Sequence, residues 1–248
     1  MSGHSKWSTI KRRKGAEDAK RGKIFTKVVK EITIAARSGG GDPDGNPRLR
    51  RAIDLARGVN MPADNIARAI KKGTGELEGV QYEELVYEGI GPDGALFLCE
   101  VVTDNRNRTI AEVRKIFDKN GGQIGSSGSA AWAFEQKGII RIDKDQATEE
   151  ELFEAAVGGG AENMELVGDQ WEVTTARNDL DAVRDAIASA GMAVGEASLE
   201  YIPNNPKVVE GADAEKLIQL FEALEDHDDV QNVFADFELS EQALAEMA

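Results

Sequence analysis

Between residues 16 and 38 apolar side chains recur at helical spacing: Ile24, Phe25, Val28, Val29, Ile32, Ala35 and Ala36 share one side of a helix. Lys20, Lys23, Lys27, Lys30 and Arg37 fall on the opposite side. The spacing predicts an amphipathic helix with a core face and a cationic stripe. Gly39-Gly40-Gly41 ends it, and Asp42-Pro43-Asp44-Gly45 reads as a loop. A second helix starts with Asn46 as N-cap and Pro47 at its first position, and turns Leu49, Ile53 and Ala56 inward. A third starts near Pro62, with Ile66 and Ile70 inward and Gly73 as its stop. Residues 1–80 are thus expected to form a basic three-helix domain, preceded over the first 15 residues by an extended arm.

After Gly79 the period shortens to two. Residues 85–90 and 95–103 read as strands joined by Gly91-Pro92-Asp93-Gly94, a hairpin turn. A helix over 109–120 follows, with Ile110, Val113, Ile116 and Phe117 inward. A glycine- and serine-rich stretch, residues 125–129, then leads into an expected strand over 130–134. From Lys137 the pattern gives strand 138–142, helix 149–157, strands 163–167 and 170–175, helix 178–190 and strand 195–201. That is the β-α-β-β-α-β order of a ferredoxin-like domain. Pro203-Asn204-Asn205-Pro206 marks a boundary, beyond which a helix over 212–224 and a strand over 230–235 could complete the earlier sheet. The expectation is an α+β fold of three domains: a basic helical domain (1–80), an α+β domain from 81–135 plus 204–248, and an inserted ferredoxin-like domain (136–203).

Charge sharpens this picture. The net charge of −15 hides two opposed parts. Residues 1–80 hold 18 Lys+Arg against 9 Asp+Glu, and residues 81–248 hold 12 against 36. One end attracts polyphosphate and the remainder repels it, so a nucleic-acid partner bound through the basic end is the natural reading. The alternative is that the basic segment packs against the acidic body of the same chain. No strictly apolar run exceeds five residues, as at 95–99, far below the ~20 residues of a membrane span. The N-terminus carries charge early with no apolar run behind it, so no secretory signal is expected. A single cysteine, Cys99, excludes an intramolecular disulfide.

Candidate chemistry is confined to binding. Lys6, Lys11, Arg12, Arg13, Lys14, Lys20, Arg21, Lys23, Lys27 and Lys30 supply the clustered cations that phosphate affinity needs. Trp7 either stacks on a base or covers the helices. A second anion contact is conceivable at Arg106 and Arg108, beside a helix N-terminus. The competing reading has Asp104 or Asn107 capping that helix while the arginines pair with nearby acids. Helices two and three could mimic a helix-turn-helix, but helix three carries only Arg68, Lys71 and Lys72 as cations, and short amphipathic helices often pair merely to form a core. No phosphate-binding glycine fingerprint has the required spacing. The run Glu225-Asp226-His227-Asp228-Asp229 reads as a solvated loop rather than a metal site. With two histidines and no coherent acid, base, nucleophile or ligand set, the expectation is a non-enzyme without catalytic residues, metal, cofactor or small-molecule substrate.

The sequence resembles the YebC/PmpR family, which includes a mitochondrial translational activator. The likeness rests on Gly3-His4-Ser5-Lys6-Trp7, the segment from Asp18 to Lys27, Gly39-Gly40-Gly41-Asp42-Pro43 with Asn46-Pro47-Arg48-Leu49-Arg50, Tyr87-Glu88-Gly89, Gly91-Pro92 and the segment from Thr103 to Thr109. It spans essentially the whole chain. The resemblance implies three domains, one helical and two α+β (ferredoxin-like), one inserted in the other. It implies either a DNA-binding transcriptional regulator or a translation factor that binds ribosomal RNA and relieves stalling at proline-rich stretches. The acidic C-terminal lobes would meet protein partners. Family matching from residue 3 leaves no room for a mitochondrial presequence, which points to a bacterial cytoplasm.

Overall fold

The computed structural model describes residues 17–243. The chain is α+β, an N-terminal helical domain followed by sheet-containing domains. The described residues divide into two compact units: one holds residues 17–134 together with 203–243, the other residues 135–202.

The first unit opens with α1 (Glu17–Gly39), α2 (Pro47–Gly58) and α3 (Ala63–Thr74). Their shared core holds Val28, Ile32, Ala35, Ala36, Leu49, Ile53, Ala56, Met61 and Ile66, which includes most of the positions the helical spacing turned inward. The α1–α2 corner is closed by one side chain. The Asn46 amide donates to the Ala35 and Gly40 carbonyls, while its oxygen caps α2 by accepting the Leu49 N–H. Gly39 lets that amide approach, since a Cβ there would stand 2.6 Å from Asn46 Nδ2. Gly73 is not the stop of α3. It lies inside the helix, where a Cβ would collide with the Thr33 carbonyl of α1, and the left-handed cap is Gly75.

Strands β1 (Glu83–Ile90) and β2 (Leu96–Thr103) form the expected antiparallel hairpin. After α4 (Arg106–Lys119), the two-residue β3 (Gln123–Ile124) pairs with β1. The strand expected over 130–134 is absent. Buried Glu88 accepts the N–H groups of Gly128 (2.6 Å), Ala130 (2.6 Å) and Ala131 (2.8 Å), which fixes this stretch as a tight turn with a short 3-10 segment at Ala131–Ala133. Burial alone would raise the Glu88 carboxyl, but those three backbone donors outweigh it and hold it below its usual value.

The second unit is carried by β4 (Phe134–Asp143), α5 (Glu149–Gly159), β5 (Ala161–Val167), β6 (Gln170–Ala176), α6 (Leu180–Ser189) and β7 (Glu196–Pro203). Its sheet order is β5-β6-β4-β7, with β6 antiparallel to both neighbours. That is the ferredoxin-like arrangement its element order predicts. Ile140, Ile142, Leu152, Val173, Leu180, Val183 and Ile187 form the core between sheet and helices.

The chain then returns to the first unit. After β8 (Lys207–Val209), α7 (Gly211–Glu225) packs Leu217, Leu220, Phe221 and Leu224 into the core of Phe97, Phe117 and Val230. β9 (Val230–Ala235) adds antiparallel to β2, giving the order β3-β1-β2-β9, and β10 (Phe237–Leu239) pairs parallel with β8. The sheet begun by the hairpin is therefore completed by a strand from the chain's last part. Among the described residues no helix is long and apolar enough to cross a membrane.

Candidate nucleic-acid interface

Three lysines in the cationic stripe of α1 turn towards the chain's own acidic part, and the innermost, Lys30, is buried. Lys30 is only 6% exposed, and its ammonium donates to Asp229 Oδ1 (2.6 Å), the Asp228 carbonyl (2.9 Å) and the Val102 carbonyl (3.2 Å). It also lies 5.8 Å from the centre of the Tyr82 ring. One turn towards the N-terminus, Lys27 donates to the Glu225 carbonyl at 2.8 Å. Lys23 meets Asp226 through both its carboxylate (2.7 Å) and its carbonyl (3.0 Å). Farther along, Arg37 donates to the Tyr82 carbonyl. Lys23, Lys27 and Lys30 thus make the contact between α1 and residues 225–229, the last residue of α7 and the loop to β9. Four residues beyond Lys30, and so on the same side of the helix, Ile34 is fully buried, while Ile24 on the expected core face is 42% exposed.

Asp229 is the centre of this contact. Besides Lys30 it accepts from Arg108 (2.7 Å), Thr109 Oγ1 (2.7 Å) and Thr103 Oγ1 (3.2 Å) on Oδ2. It is buried, which by itself would raise its carboxyl. Hydrogen bonds from Lys30, Arg108 and Thr109 overcome that and hold it well below the usual carboxylate range. Beside it His227 Nδ1 accepts the Asp229 N–H at 3.1 Å, so Nε2 carries the hydrogen facing Glu112 Oε2 at 3.0 Å. A second clamp holds the same helices to the hairpin. The Arg48 guanidinium forks onto Glu31 of α1 (2.7 and 3.0 Å) and Glu84 of β1 (3.1 and 2.7 Å).

Comparison with known proteins finds matches over most of the chain. Residues 5–76 match the TACO1/YebC protein N-terminal domain, and residues 82–237 match the TACO1/YebC second and third domain. The chain belongs to the TACO1/YebC family. A probable transcriptional regulatory protein of Desulfotalea psychrophila is 54% identical over 251 residues, covering the whole of both chains. A protein with the same description from Desulfatibacillum aliphaticivorans is 54% identical over 246 residues, which is 99% of this chain and all of the relative. Among solved structures, a conserved hypothetical protein from Aquifex aeolicus superposes with a TM-score of 0.85 at 44% identity, over 90% of this chain and 93% of that one.

In this TACO1/YebC chain the expected binding residues separate into three groups. Lys6, Trp7, Lys11, Arg12, Arg13 and Lys14 lie outside the described residues, and Lys20 and Arg21 fall on the first turns of α1. Lys23, Lys27 and Lys30 are engaged by residues 225–229. For Lys30 the reading as a phosphate contact is corrected outright, because burial and three oxygen acceptors leave it no approach from solvent. The Arg106–Arg108 site resolves towards structure. Asn105, rather than Asp104 or Asn107, caps α4 by accepting the Arg108 N–H, and the Arg108 side chain is spent on Asp104 and Asp229. Arg106 is exposed.

The expected list omits an exposed basic face. Arg68, Lys71 and Lys72 of α3 are all exposed and share one side of the helix by their three- and four-residue spacing. The same spacing was legible in the sequence, but their small number drew attention to α1 instead. Glu112, His227 and Asp229 lie close enough to share a cation. They do not fit one, because Lys30 and Arg108 already occupy the Asp229 oxygens and the His227 ring is engaged on both nitrogens. Cys99 is fully buried, which pushes its thiol up to about 12 and makes it a poor nucleophile.

Proposed function

We propose that the protein is a nucleic-acid-binding transcriptional regulator that engages duplex DNA through its basic N-terminal domain. The observation that carries this is charge segregation, 18 cations against 9 acids in residues 1–80 and the reverse excess beyond. Its relatives' description as probable transcriptional regulatory proteins supports it. The contact surface comprises the arm residues Lys6, Trp7, Lys11, Arg12, Arg13 and Lys14, the start of α1 with Lys20 and Arg21, and the exposed α3 face of Arg68, Lys71 and Lys72. The protein acts by binding, in the cytoplasm, without catalysis, metal or cofactor, and its acidic lobes are left for protein partners. Three parts divide the work: residues 1–80, 81–135 with 204–248, and 136–203.

A second reading, a translation factor on ribosomal RNA, is favoured by one feature of α3. Helices that read the major groove do so with N-terminal residues, and here the first turn of α3 carries Asp64, while Arg68 is mid-helix and Lys71 and Lys72 are in the last turn. Crosslinking in cells, with sequencing of the bound nucleic acid and parallel sucrose gradients, tests the choice. Discrete promoter peaks away from ribosomal fractions support the regulator. Ribosomal RNA crosslinks and co-sedimentation overturn it in favour of the translation factor.

A further inference from the structure

The contact between α1 and loop 225–229 weakens steadily from one end to the other. At its inner end the side chains of Lys30 and Asp229 are 7% and 8% exposed, and Arg108, Thr103 and Thr109 complete the cage. In the middle Lys27 holds the Glu225 carbonyl, in a part-buried bond. At the outer end the Lys23–Asp226 pair is 40% and 69% exposed. Exposed pairs of that kind contribute little and yield to salt. A buried pair cannot be broken without stranding a charge.

Four of the five residues at 225–229 are acidic, and the carboxylates of Asp226 and Asp229, with the carbonyls of 225, 226 and 228, give the lysines a row of oxygen acceptors such as a run of phosphates would. Lys20 precedes Lys23 by three residues, so helical spacing puts the two positions on the same side of α1. The loop therefore occupies, in cis, the side of α1 onto which a bound phosphate chain would extend.

We propose that residues 225–229 form an intramolecular latch that competes with polyanionic ligand for α1. On binding, Lys23 and then Lys27 leave the loop for phosphates, while Lys30–Asp229 stays closed as the pivot. This inference rests on the nucleic-acid reading above. The latch lowers affinity in the closed state and subtracts the outer lysines from the salt dependence, because a lysine already paired with Asp226 has no counterion displacement to share with the ligand.

The test uses the full chain with a labelled 20-base-pair duplex DNA and a 20-nucleotide RNA of one arbitrary sequence, titrated over a salt series. Five proteins are compared: wild type, Asp226→Asn, Lys23→Ala, Lys23→Ala/Asp226→Asn, and Glu215→Gln, which removes one exposed acid from α7 away from the latch. The Asp226→Asn variant should bind the better of the two probes about threefold to tenfold more tightly at low salt, with a salt slope steeper by up to ~0.9 on duplex. That gain should vanish in the Lys23→Ala background, and Glu215→Gln should give less than half of it. If wild type binds but Asp226→Asn matches Glu215→Gln, the latch is overturned and the nucleic-acid reading survives. If no protein binds either probe at 50 mM salt, that reading fails and takes the latch with it.

Discussion

Asp229 shows what one residue can hold. Five of its contacts come from three separate stretches of chain, α1, the β2–α4 junction and its own loop. Replacing it with Ala leaves the buried Lys30 without a counter-charge and Arg108 with Asp104 alone. Urea unfolding should then show a loss of about 3–5 kcal/mol, the range for breaking one side of a buried pair. The pH dependence follows from the direction of its shift. The folded carboxyl titrates below the unfolded value of about 3.9, so its stabilisation is complete above that value and is lost as pH falls through the folded one. A urea series from pH 7 to 3 should therefore find wild type and Asp229→Asn far apart at neutral pH and converging below about pH 4. Nothing local in the sequence marks Lys30 as buried. A helical wheel separates apolar from cationic sides, but it cannot tell water from a carboxylate 199 residues away. The available signal was the acidic run at 225–229 set against the opposite charge of the first 80 residues, and it admitted both an external and an internal partner.

At the level of elements, legibility follows the distance to the determinant. The start of α2 was readable to the residue because its cap, Asn46, and its first-turn proline adjoin it in sequence. The ferredoxin-like order was readable because each strand and helix carries its own period. The strand expected over 130–134 failed because the residue that forbids it, Glu88, lies on another strand and consumes the N–H groups a ladder would need. Two variants follow from these contacts. Asn46→Ala removes one helix cap and two further donors at the α1–α2 corner, and should cost about 1–2 kcal/mol in urea unfolding. Glu88→Ala leaves three backbone donors near residues 128–131 without their acceptor. Hydrogen exchange over residues 125–133 should accelerate well beyond that of β1 itself, and an unchanged rate would mean that the turn is held by other means.

For the whole molecule, the helical domain and the hairpin domain share one compact unit although an exposed connection, residues 74–81, runs between them. A Glu-specific protease should cut after Glu76 or Glu78. The two fragments should nonetheless co-elute on gel filtration, held by Lys30–Asp229 and the Arg48 fork, and Asp229→Ala should release them. The same architecture has a consequence in time. Lys30 and Asp229 stand 199 residues apart, and β9, which finishes the sheet started by the hairpin, follows immediately. At ribosomal elongation rates the interval between synthesis of the two charges is on the order of 10–40 s. Throughout it the N-terminal helices have their own core but no acid partner, and the 135–202 unit can close first. The newborn chain is therefore at its most cationic while still attached to the ribosome, and it masks its own lysines only in the last moments of its making.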